Sequence, residues 1–142
     1  MVAELGRRGF EVGVHGLHHD GRDLESEATL RARLPEMKAW GDRLGAVGFR
    51  SPATRRDWSL MPLLPFEYDT SFPDTDPYEP DAGGCCSWLP FMIDGLVELP
   101  ITLPQDHTLL EILDADAAEI WRRKTELIRG AGGMALLITH PD

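Results

Sequence analysis

Five histidines carry much of the chemical potential of this sequence: His15, His18, His19, His107 and His140. Three of them fall within Val-His-Gly-Leu-His-His-Asp-Gly, residues 14–21. Imidazole is the commonest protein ligand for zinc and similar ions. His15 and His19 stand at i and i+4, a spacing that brings two imidazoles onto one ion from a helical segment or a tight turn, with His18 as a competitor. A glycine-rich loop with clustered histidines is also what a hydrogen-bonded or solvated turn looks like. Further along, Arg50 precedes Ser51-Pro52, Asp69 follows Tyr68, and His140 leaves an apolar run. Singly, these read as a surface ion pair, a turn or helix cap, and a core or edge histidine. His15, Arg50, Asp69 and His140 each stand at or just after the end of a predicted strand, and α/β folds collect reactive groups at strand carboxyl ends.

The elements that must position them follow from hydrophobic spacing and breakers. Helices are predicted at 1–8, at 26–44 and at 115–129, with a shorter one at 56–64. Within 26–44, Leu30, Leu34, Met37, Trp40 and Leu44 recur at helical spacing, Gly45 and Gly48 stop the pattern, and Pro35 predicts a break or kink. Strands are predicted at 10–14, 47–50, 66–70 and 96–99, and at 134–139, whose near-continuous apolar run suits burial on both faces. Residues 71–90 carry four prolines and two glycines and read as a long functional loop or lid. Inside it, Asp74, Asp76, Glu79 and Asp81 read as a solvated acidic stretch, and Trp88 either stacks on a sugar ring or packs within the loop. Trp40 and Trp121 are expected in the core. Asp106-His107 reads as a helix-capping turn or a groove contact. Strand–loop–helix alternation of this kind is an α/β pattern.

This ordered set resembles the polysaccharide deacetylases, the carbohydrate esterase family 4 group that includes chitooligosaccharide deacetylases. The likeness rests on His15-Gly-Leu-His-His19, with Gly16 at a Ser/Thr position; on Arg50-Ser-Pro52, with Ala53 at an aromatic position; on Asp69; and on Ile138-Thr-His140, with Ile for Leu. The resemblance implies an α/β fold, an incomplete β/α barrel of the polysaccharide deacetylase type. It implies a metal-dependent hydrolase of non-peptide C–N bonds acting on an N-acetylated glycan. A divalent metal, zinc in most of the family, would be held by His15, His19 and an aspartate. His140 would be the general acid, Asp69 its carboxylate partner, and Arg50 the residue that fixes the catalytic carboxylate. Pro52 and Trp88 are the implied substrate contacts. The early Asp-Asp motif of the family has no counterpart in these 142 residues. The expectation is therefore a domain lacking its first β/α unit or units, with a degenerate homologue or a site completed by a partner chain as the other accounts. A non-catalytic glycan-binding remnant and a small-amide hydrolase on the same fold stay open.

Composition narrows the remaining classes. Acidic residues number 24 and basic ones 14, a net charge of −10, which disfavours binding to a phosphate backbone and hence nucleic acid. No run approaches the ~18 apolar residues of a membrane helix, and the first residues lack the apolar stretch of a signal peptide. The adjacent Cys85 and Cys86 exclude a disulfide framework. Apolar residues at 42% support a core. By length the chain is about one domain, yet a β/α barrel takes roughly 200 residues or more. An incomplete barrel leaves strand edges unpaired and would promote self-association.

Overall fold

The longest regular element is also the one whose ends the sequence marks most clearly. Ser26 caps helix α2 (Glu27–Leu44), its side-chain oxygen accepting the Thr29 N–H at 3.1 Å, and Gly45 closes it in the left-handed conformation at φ 65°. The computed structural model describes residues 2–78 and 83–140. The chain divides into two units, residues 1–71 with 91–98 and residues 72–90 with 99–142.

In the first unit a short helix α1 (Val2–Arg7) precedes α2. Helix α2 runs unbroken through Pro35. The predicted break is absent, and Pro35 lies on the exposed face, where water can serve the carbonyl left without a donor. Leu30, Met37 and Gly41 form the buried stripe of the helix. Trp40 is 42% exposed rather than in the core, with the Arg43 guanidinium 4.9 Å above its ring.

The first unit also holds a four-stranded mixed sheet: β1 (Gly48–Phe49), β2 (Tyr68–Asp69), β3 (Phe91–Ile93) and β4 (Leu96–Glu98), in the order β1-β2-β4-β3. The β1–β2 and β2–β4 pairs are parallel, and β3 pairs antiparallel with β4. Val14 joins the far side of β1 through a parallel bridge to Phe49, and it is the only paired residue of the predicted strand 10–14 among those described. Gly48 is obligatory, since a Cβ there would lie 2.1 Å from the Tyr68 ring. The β3–β4 hairpin turns on Asp94-Gly95, both at positive φ (45° and 98°), as a type I′ turn requires. β3 is too short to show a period in the sequence. The predicted helix 56–64 shrinks to one 3₁₀ turn, Met61–Leu63, with Pro62 inside it. Phe49, Met61, Leu30 and Met37 are fully buried, and Phe49 stacks on Phe66 with ring centroids 5.5 Å apart.

In the second unit, helix α3 (Ala117–Gly130) is capped by Asp116, which accepts the Glu119 N–H at 3.0 Å. A π-helical turn, Thr108–Ile112, precedes it. Phe72, Leu109 and Ile128 are its most deeply buried apolar side chains. The apolar run 134–139 forms no ladder. It is an extended segment held through Thr102: Oγ1 donates to the Met134 carbonyl at 2.8 Å, and the Thr102 and Leu103 N–H groups both donate to the Leu136 carbonyl. Only Ile138 of that run is buried, so its hydropathy overstated its depth.

The acidic stretch also differs from its expectation. Glu79 and Asp81 lie outside the described residues. Asp74 and Asp76 are buried, and the half-buried Lys124 ammonium bridges the two carboxylates. Trp88 donates its indole N–H to Asp74 at 2.7 Å, and its Cβ lies within 3 Å of where a side chain at Gly133 would start. The indole N–H is thus engaged within the loop.

Candidate functional site

The first unit places several chemically competent side chains at one edge of its sheet. Val14, β1, β2 and β4 run parallel and in register, Val14 with Phe49, Phe49 with Asp69, and Asp69 with Glu98. His15 and Arg50 follow the first two directly, and Asp69 and Glu98 are the last residues of the other two. The carboxyl edge of parallel strands is where α/β proteins bind ligands.

His15 Nδ1 lies 2.9 Å from the Arg50 carbonyl oxygen. A carbonyl only accepts, so Nδ1 carries the proton and the basic nitrogen of the neutral ring is Nε2, the tautomer in which an oriented imidazole ligates a metal. The His19 ring meets the His15 ring edge-on, with centroids 4.9 Å apart and planes at 71°. Two imidazoles sharing a tetrahedral zinc at about 2.0–2.1 Å hold their centroids about 5 Å apart. The separation matches two corners of such a site and equally an ordinary edge-to-face aromatic contact. Among the described residues no group of three His, Cys, Asp or Glu completes it. The ring that meets His15 belongs to His19; His18 lies instead beside the charge of Asp20.

The histidine loop is anchored from below by a residue the motif reading passed over. Asp23 is fully buried, accepts the Leu17 N–H through Oδ2 at 3.1 Å, and accepts from the Arg33 guanidinium through Oδ1 at 2.8 Å. Arg33, on α2, also grips both oxygens of Asp20 at 2.7 and 2.8 Å, which holds the Asp20 carboxyl well below its usual range. From the side, the loop is walled by Pro52. Gly16 has φ 70°, and a Cβ there would fall 2.6 Å from the Pro52 ring and 2.9 Å from Asp23 Oδ2. Pro52 is less than 2% exposed, and its ring forms that wall. Gly16→Ala is expected to cost about 2–4 kcal/mol, the sum of a left-handed backbone strain and an overpacked contact. Gly9→Ala, at φ 80° with open space around it, should cost only the strain. Urea denaturation of the two variants separates the terms. Non-glycine residues in the left-handed region also flank the site, at His19, Ala53 and Thr54.

Arg50 is half-buried and donates from Nε to the Thr70 carbonyl at 3.1 Å and from Nη2 to Thr70 Oγ1 at 2.6 Å. Burial pushes its guanidinium down, and the charges of Asp69 and Glu98 push it back up. Asp69 is fully buried and accepts the Ser71 N–H and the Ser71 hydroxyl, both at 2.8 Å. Its side chain also hydrogen-bonds that of Glu98. Burial raises the Asp69 carboxyl above its ordinary value, while the hydrogen bonds from Glu98 and Ser71 pull the other way. Glu98 was not singled out in the sequence. Its signal was a lone carboxylate within Gly-Leu-Val-Glu-Leu-Pro, an apolar run that buries what it carries.

His140 belongs to the second unit and has a carboxylate there. Its Nδ1 lies 2.7 Å from Asp106 Oδ1, and its backbone N–H donates to Oδ2 at 2.5 Å. Burial alone would raise the Asp106 carboxyl, but the hydrogen bonds from His140 and from the His107 N–H outweigh it and hold it low. An ionised carboxylate accepts, so His140 Nδ1 is the donor and Nε2 faces the exchangeable side of the ring. Gln105, His107, Leu110 and Glu111 join this pair around a cavity of about 560 Å³. Asp106-His107 reads in the sequence as a capping turn or a groove contact; the pairing of Asp106 with a residue 34 positions away has no local signature.

Cys85 and Cys86 are not joined in a disulfide. Among the described residues no helix is long and apolar enough to cross a membrane. Comparison with protein-family models, with curated proteins and with solved structures finds no match to this chain.

Proposed function

We propose that the chain is the larger part of a polysaccharide-deacetylase-like domain, a metal-dependent hydrolase of N-acetyl or other non-peptide C–N bonds in a poly- or oligosaccharide. The observation that carries this reading is the edge-on His15–His19 pair at the carboxyl edge of parallel strands, with His15 fixed in the ligating tautomer by the Arg50 carbonyl. His15 and His19 are the residues that would hold the ion. When bound, a divalent ion supplies Lewis-acid polarisation of the amide carbonyl and lowers the pKa of a water.

The chain's own residues do the rest. Arg50 clamps the backbone after β2 through Thr70, and its carbonyl orients His15. Asp69 supplies fixed negative charge at the strand edge. The resemblance assigns His140 the general-acid role; within the second unit the Asp106 carboxylate holds its Nδ1–H, which leaves Nε2 as the nitrogen that would deliver a proton. Asp106 takes the orienting role that the motif resemblance gave to Asp69.

The test is release of acetate from N-acetylated chitooligosaccharides by the full chain supplied with zinc, beside His140→Ala. Turnover lost in the variant supports the hydrolase. Zinc and oligosaccharide binding without any acetate release favours the second reading, a non-catalytic glycan-binding module, whose motivation is the two-residue ligand set.

A further inference from the structure

We propose that Trp58 and Phe91 form a stacking platform for a sugar ring, at the opposite end of the strand edge from the histidine pair, so that the chain takes an extended oligosaccharide rather than a small amide. The sugar chemistry rests on the hydrolase reading above and deepens it; the placement of the platform does not.

The sheet register carries the placement. Val14, Phe49, Asp69, Glu98 and Phe91 are partnered in that order, one row along the carboxyl edge of the parallel strands. Because β3 runs antiparallel to β4, its first residue, Phe91, is the one that reaches this edge. His15 follows one end of the row, and Phe91 is the other end. Four strand spacings separate Val14 from Phe91, about 19 Å. That span exceeds one sugar ring and suits several linked ones.

Trp58 brings a second ring to the Phe91 end. It lies in the segment between β1 and β2, and its ring centroid is 6.0 Å from that of Phe91, with the planes tilted by 33°. Trp58 is 54% exposed, the most exposed of the four tryptophans. Trp40 already faces the Arg43 guanidinium, and the indole N–H groups of Trp88 and Trp121 donate to Asp74 and to the Pro104 carbonyl. The exposed ring nevertheless stands on a fixed support. Asp57 Oδ1 accepts the Ser59 and Leu60 N–H groups at 2.8 and 3.1 Å, and the Asp57 carbonyl accepts those of Leu60 and Met61. Both flanks of Trp58 are thereby tied to the fully buried Met61. A large apolar ring held in place yet left in water is pre-organised for a ligand with an apolar face. A pyranose ring presents such a face through its C–H groups while its hydroxyls stay solvated. Binding energy gained this far from the reacting bond can be spent on orientation at that bond.

Fluorine NMR of the full chain labelled with fluorotryptophan, titrated without metal with N-acetylglucosamine and with its β-linked tetramer, tests this. The Trp58 signal is assigned by its loss in Trp58→Phe. The expected result is that the tetramer moves that signal saturably and binds more tightly than the monomer. By calorimetry, Trp58→Ala should weaken tetramer binding about tenfold, Trp58→Phe should restore most of the loss, and Trp40→Ala should match the wild type. Absence of tetramer binding to the folded wild-type protein, binding that leaves the Trp58 signal unmoved, or unchanged affinity in Trp58→Ala overturns the proposal. Should Trp58→Ala not fold, the wild-type titration beside Trp58→Phe decides alone. Acetate release with a silent Trp58 signal would remove the platform and leave the hydrolase reading, whereas a moving signal without acetate release would do the reverse.

Discussion

Asp23→Ala is expected to destabilise the first unit by about 3 kcal/mol, the lower end of the range for breaking a buried ion pair. Asp23 is fully buried, and removing it leaves the Leu17 N–H and one arm of Arg33 without their acceptor. Arg33 keeps Asp20, which holds the cost at the low end. Asp20→Ala removes a carboxylate that is 32% exposed and should cost no more than ~1 kcal/mol. Urea denaturation of both variants is the measurement. Equal effects would mean that Arg33, rather than the Asp23 link to the loop, is what matters. The larger loss should also carry the histidine loop with it, because Leu17 lies midway between His15 and His19.

His140→Ala is expected to lower acetate release by ~10²–10⁴-fold, the usual contribution of a positioned general acid. The geometry behind this is the Asp106–His140 pair, in which both carboxylate oxygens engage the histidine, one through the ring and one through the backbone. His107→Ala lines the same cavity without that pairing and should leave turnover within a few-fold of wild type. A His140→Ala enzyme that retains wild-type rates would remove His140 from the chemistry.

Some of this was legible from the residues alone. Ser26 and Gly45 are strong local signals, and α2 begins and ends at them. The histidine at 15 and the arginine at 50 follow paired residues, because Val14 and Phe49 are apolar positions whose neighbours are polar or glycine. What was not legible is mostly non-local. The partner of His140 lies 34 residues away, and nothing in Gln-Asp-His distinguishes a capping aspartate from one that binds an imidazole. Glu98 was not singled out, because its register with Asp69 is set by the sheet and not by its neighbours in sequence. The segment 134–139 has the hydropathy of a buried strand, yet Thr102 satisfies its backbone with side-chain bonds in place of a ladder. The packing of Pro52 against Gly16 has no local signature either, since it joins residues 36 positions apart.

The central claim is that His15 and His19 share one divalent ion, and calorimetric titration of zinc into the full chain tests it most directly. The expected result is saturable one-to-one binding that is lost in His15→Ala and in His19→Ala and retained in His18→Ala. Absence of saturable binding in the folded wild-type protein, or unchanged binding in His15→Ala, would contradict it.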